Sequence, residues 1–111
     1  MAYDEELAER IRELMAGRPG VTEQRMFGGL AFLVGGNMAI AASGEGGVLV
    51  RVDPAESDRL VDTTAAQVAV MRGRPMPGWL RVTSADLRTR RQLSSWVERG
   101  AGFAGSLPAK G

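Results

Sequence analysis

The chain contains no cysteine and no histidine. The first absence excludes disulfides and thiolate zinc sites. The second removes Ser-His-Asp and Cys-His catalysis together with the commonest transition-metal ligand. No paired carboxylates and no nucleophile beside a base stand out among the remaining residues. The sequence therefore predicts no catalytic residues, no metal and no cofactor, and a chain that is not an enzyme. Lysine is almost missing as well: Lys110 is the only one, and every other basic residue is arginine. That bias reads as the codon usage of a GC-rich genome. No apolar run approaches the length of a membrane span, and the start of the chain, Met1 to Glu9, is acidic. The expectation is a cytoplasmic protein without a signal peptide or a membrane association. A net charge of +1 argues against non-specific nucleic-acid binding by the molecule as a whole.

What is present is the composition of one globular domain over residues 1–111, with 44% hydrophobic residues and a short flexible tail at 105–111. Leu7, Ile11, Leu14 and Met15 recur at helical spacing behind Asp4, Glu5 and Glu6, which suit the positive end of a helix. Gly17, Pro19 and Gly20 stop it. A β run from Arg25 to Val34 is interrupted at Gly28-Gly29, where a bulge or sharp bend is expected. Two further runs, Met38–Ala42 and Val48–Val52, follow across short glycine turns, so the three form an antiparallel meander. Asp53-Pro54-Ala55-Glu56 reads as a helix start, with Asp53 as N-cap and Pro54 in the first turn. Gln67–Met71 and Trp79–Thr83 read as strands joined by a loop over residues 72–78. Thr83 or Ser84 is expected to cap a last helix carrying Leu93, Trp96, Val97, Gly100, Ala101 and Ala104. Gly100 and Gly102 weaken that helix, and a close neighbouring backbone would explain them. The fold class is α+β: two layers in the order α-β-β-β-α-β-β-α, an antiparallel sheet with helices mainly on one face.

Two stretches are distinctive: Met26-Phe27-Gly28-Gly29-Leu30-Ala31-Phe32-Leu33, continuing to Gly36-Asn37-Met38, and Met71-Arg72-Gly73-Arg74-Pro75-Met76-Pro77-Gly78-Trp79. With the closing helix around Trp96-Val97, they resemble the N-terminal domain of the TfoX/Sxy competence-regulator family over about residues 3 to 108. The resemblance implies an α+β regulatory domain associated with bacterial transcriptional control of DNA uptake. Regulators of that family with a known role carry a second, helical domain after this one, and this sequence stops before it. The resemblance carries no catalytic residues with it.

Arginines supply the candidate binding residues. Arg72 and Arg74 flank Gly73 in a proline-stiffened loop, where two guanidinium forks suit a carboxylate, a phosphate or an acidic partner surface. Arg25 joins them if the strands bring it near. Arg88 and Arg91 are expected on one face of the last helix, with Arg90, where they suit DNA backbone or an acidic partner. The competing and commoner reading is that the loop arginines pair with acids of the same domain or lie along its surface, and that the helix arginines form a solvated face. Asp53, Glu56, Asp58 and Asp62 lack metal-loop spacing and are accounted for by capping. The glycine pairs match neither a phosphate-binding loop nor a dinucleotide fingerprint.

The second candidate is the sheet face turned away from the helices. Strict alternation assigns it Ala31, Leu33, Ala39, Ala41 and Leu49, with Arg51 as its only charge. A water-facing sheet surface is normally more polar than that. The expectation is a protein partner or a homodimer over this face, the alternative being that the last helix folds across it. The leading functional reading is a non-enzymatic regulatory or protein-interaction domain. The other is a small-anion or nucleotide-binding module built on the arginine loop.

Overall fold

The computed structural model describes residues 3–26 and 28–109. Helix α1 (Glu5–Met15) begins where Asp4 accepts the backbone N–H of Leu7, and buries Leu7, Ala8, Ile11 and Met15. Four strands follow: β1 (Val21–Met26), β2 (Gly29–Val34), β3 (Asn37–Ala42) and β4 (Val48–Arg51). The break at Gly28-Gly29 is thus a full reversal. Met26 pairs with Gly29, so two residues close the hairpin. Phe27, the first of them, lies outside the described residues.

Asp53 caps a single 3-10 turn, Pro54–Glu56, by accepting the N–H of Ala55, and this turn leads into α2 (Ser57–Thr63). Strand β5 (Gln67–Met71) turns at Arg72-Gly73 into β6 (Arg74–Val82). The expected loop over 72–78 is therefore mostly strand. Pro75 and Pro77 are tolerated because this half of β6 pairs with β5 alone, while β4 joins β6 from Trp79 onward. A second 3-10 turn, Ser84–Asp86, precedes α3 (Arg90–Ser106). Thr83 flanks that turn, and the cap of α3 is Thr89: its hydroxyl accepts from Gln92 N, and the Gln92 side chain accepts from Thr89 N. This reciprocal box, and not Thr83 or Ser84, sets where the helix starts. Residues 105–106 close α3, and the chain to Ala109 is held, because buried Asn37 donates to the carbonyl of Pro108 at 3.0 Å.

The six strands form one antiparallel sheet in the order β1-β2-β3-β4-β6-β5. Helices α1 and α3 cover one face, and α2 sends Leu60 into the same core. Phe32, Ile40, Val48, Val50, Leu80 and Val82 meet Ile11, Leu93, Trp96 and Val97 there. A fully buried side chain of this kind contributes about 1.5–3 kcal/mol as an upper figure. The α+β class and the two-layer arrangement are those the sequence pattern predicts, and α3 does not cross to the other face.

One assignment within the sheet changes. Between β2 and β3 the register slips: Phe32 pairs with Ile40, but Leu33 pairs with Met38. Ala39 is the extra residue of a bulge, and it turns toward the helices while Met38 turns away. Gly100 of α3 sits directly over this point. A Cβ there would fall inside contact distance of the Ala39 carbonyl oxygen and 3.0 Å from its carbon. The expected backbone approach is real at Gly100 and absent at Gly102, where nothing lies within 4 Å.

Candidate functional site

The face away from the helices carries a second apolar cluster: Ala31, Leu33, Met38, Ala41, Leu49 and Ala69, with Met26, Met71 and Trp79 packed at its margin. Ala39 leaves the expected set and Met38 takes its place, because of the bulge. No helix lies over this cluster, yet Leu33 is only 7% exposed and Leu49 only 4%. The sheet's own curvature closes it. In a flat sheet, five gaps of about 4.8 Å would hold the edge strands about 24 Å apart. Here Met26 of one edge strand and Val70 and Met71 of the other line a single cleft of about 270 Å³. The sheet is strongly coiled, concave on this side.

The cleft has an apolar floor, formed by Ala41 and Leu49. Methionines from both edges form its walls, and their unbranched side chains suit a surface that adapts to what it meets. Val70 beside it is the one large hydrophobic residue among the described residues that is substantially exposed, at 58%. The rim is polar: Ser43, Glu45, Arg72 and Arg81. Arg81 donates to the Ser43 hydroxyl at 3.2 Å and lies 3.4 Å from the Glu45 carboxylate. Its charge is largely balanced within the rim. Arg72 makes no ion pair or side-chain hydrogen bond among the described residues.

The backbone at Arg72 is unusual. With φ at +53° it is the one non-glycine residue with positive φ among the described residues, and Gly73 follows at +76°. Met71 and Arg74 pair across the turn, so this is a two-residue hairpin with both central residues left-handed. Asparagine or glycine normally occupies the first of these positions, and an arginine there is strained by about 1 kcal/mol.

The arginine candidates separate. Arg72 lines the cleft, while Arg74 is exposed across the turn and not part of the lining. Arg25 pairs with Leu30, which belongs to the helix-side core, so Arg25 lies on the opposite face from the cleft and does not join Arg72. Arg88 precedes α3 and Arg91 lies within it, so they do not share a helix face. Arg90 and Arg91 line a shallow surface with Ser94, Ser95 and Glu98. The loop in front of them is pinned by Arg10, whose guanidinium donates to the carbonyl of Leu87 at 2.8 Å, with those of Arg88 and Thr89 3.4 Å away. Arg51, the last residue of β4, holds its guanidinium 5.2 Å from the ring of Trp79 and 5.6 Å from that of Phe103 of α3, so it sits at the end of the strand between the outer margin and the helix layer. Arg81 is a rim residue that sequence reading passes over. It reads as an ordinary strand position, and only its cross-strand partner Leu49 reveals its place.

Among the described residues no group of three acidic side chains could hold a metal ion. Asp53 is engaged as a cap, and Glu56 is paired with Arg59. No helix of the described residues is long and apolar enough to cross a membrane. A family model described as the TfoX N-terminal domain matches residues 13–104. No curated protein and no solved structure matches the chain.

Proposed function

The chain belongs to the TfoX N-terminal domain family, and on that premise we propose that it is a non-enzymatic regulatory domain that works by protein interaction, in the setting of transcriptional control. The observation that supports this reading is the concave outer face: an apolar floor between methionine walls, with exposed Val70 at its edge. Exposed Val70 beside the cleft suits contact with a partner surface, and the methionine walls let that margin adapt.

The partner we propose is a second copy of the chain, joined across this face in a two-fold dimer in the cytoplasm. Because Ala31, Leu33, Ala41 and Leu49 are already closed within one copy, the contact is made by the margin at Val70 and Trp79, which leaves the cleft between Met26 and Met71 open. Val70→Glu tests it without disturbing the fold, since the side chain is mostly exposed. Light scattering is expected to give twice the chain mass for the parent and the single mass for V70E. A parent that is monomeric at every accessible concentration refutes the dimer.

A second reading, a small-anion module on the arginine turn, is favoured by one observation: Arg72 reaches the cleft without an ion pair among the described residues.

A further inference from the structure

We propose that the outer-face cleft binds a small amphipathic monocarboxylate, its apolar body between Met26 and Met71 and its carboxylate on Arg72. The inference deepens the reading of the outer face as the binding surface and rests on it. Three independent features converge. Ala41 and Leu49 are buried where they line the cleft and offer no polar side chain, so hydrocarbon suits the part of a ligand that meets them. The uncompensated charge at its mouth is Arg72, because Arg81 already faces Glu45 and Ser43. A planar guanidinium matches a carboxylate with two parallel hydrogen bonds. The third feature is the backbone of Arg72, held left-handed at φ +53° where asparagine or glycine would be relaxed. Strain at one residue of a turn that also lines a cleft is the pattern of a side chain retained for binding.

Size narrows the class. A cleft of about 270 Å³ lies just below the range of sites for drug-sized ligands. It suits a body of roughly eight carbons in a single chain or one ring. A nucleotide does not fit this description, because its polar sugar would lie against the apolar floor and a single free arginine would face several phosphate charges.

The experiment uses the intact chain labelled with ¹³C at the methionine methyls, titrated with octanoate and, separately, with 1-octanol. Octanoate is expected to shift the Met26 and Met71 methyls saturably and to leave Met15, buried under α1, unmoved. Octanol is expected to bind at least tenfold more weakly. Arg72→Asn relieves the turn, so it is expected to raise the melting temperature while weakening octanoate at least tenfold and leaving octanol unchanged. Arg74→Asn is the control and is expected to change neither ligand. Equal affinity for acid and alcohol, unsaturable shifts, or equal losses in R72N and R74N would each overturn the proposal. The failure is separable from that of the dimer. If V70E still dissolves the dimer while octanoate leaves the methyls unmoved, the ligand alone is refuted. If octanoate binds a parent that is monomeric throughout, the dimer alone is refuted.

Discussion

Gly100→Ala and Gly102→Ala, two residues apart on α3, are expected to move stability in opposite directions. Each exchange removes a glycine from a helix interior, and on propensity alone each gains about 1 kcal/mol. At Gly102 nothing lies within 4 Å of the place a Cβ would occupy, so the gain is realised. For a domain of this size about 1 kcal/mol corresponds to a rise of about 4–8 °C in Tm. At Gly100 the new carbon would press into the Ala39 carbonyl and lie 3.2 Å from Cγ1 of Val50. The Ala39 atoms are backbone in the middle of the sheet and cannot swing aside, so α3 must lift. Overpacking of this kind costs about 1–3 kcal/mol. Since the contact is with carbonyl atoms, the upper half of that range applies, and after the propensity gain the net loss is about 1–2 kcal/mol. Thermal melts followed by far-UV circular dichroism, with urea titrations to check that the slope is unchanged, read both variants. A G100A protein that melts at or above the parent would show that α3 does not seat on the bulge at this distance. A G102A protein that loses as much as G100A would show that neither effect comes from that contact.

Three further outcomes test the local contacts that hold the fold. Ser57→Ala removes the buried hydroxyl that accepts the N–H of Gly78 at 2.6 Å, and leaving that donor unpaired is expected to destabilise by about 1–3 kcal/mol in urea unfolding. Thr89→Ala breaks the capping box of α3 and is expected to lose about 1 kcal/mol, with amide exchange quickening first at residues 90–93. Arg12 holds the Glu23 carboxyl below the ordinary carboxylate range, chiefly by the hydrogen bond at 2.6 Å. A carboxyl whose pKa is lowered by folding adds stability above its unfolded pKa and loses it as pH falls through the folded value. Carboxyl NMR is therefore expected to show Glu23 titrating at lower pH than a free glutamate, and Arg12→Gln to return it to the ordinary range.

Local chemistry made much of this fold legible. The apolar spacing of Leu7, Ile11 and Met15, and the cap-proline pair Asp53-Pro54, act within one or two turns of chain. Non-local geometry hid the rest. Pro75, Pro77 and Gly78 read as breakers, but whether a proline breaks a strand depends on whether a neighbouring strand needs its N–H, and β4 pairs with β6 only from Trp79 onward. The bulge at Ala39 has no signature in Asn37-Met38-Ala39-Ile40. It shows only in the pairing of β3 with β2, and it exchanges the faces of Met38 and Ala39. Arg72 was legible as a presented arginine, whereas its companion Arg81 depends on pairing between β4 and β6, and the exclusion of Arg25 depends on the face its strand gives it. The curvature that brings Met26 and Met71 to one cleft belongs to the whole sheet and to no single segment.

The two borders of that sheet are unequal. On β1, Glu23 and Arg25 are exposed and Glu23 is tied to Arg12, which discourages another strand from docking. On β5, Gln67-Val68-Ala69-Val70-Met71 carries no charge and no proline. A ribbon that could grow from both borders would polymerise without end. With one border guarded, strand addition is left to β5 alone, and a sheet open at a single border does not propagate into a fibre.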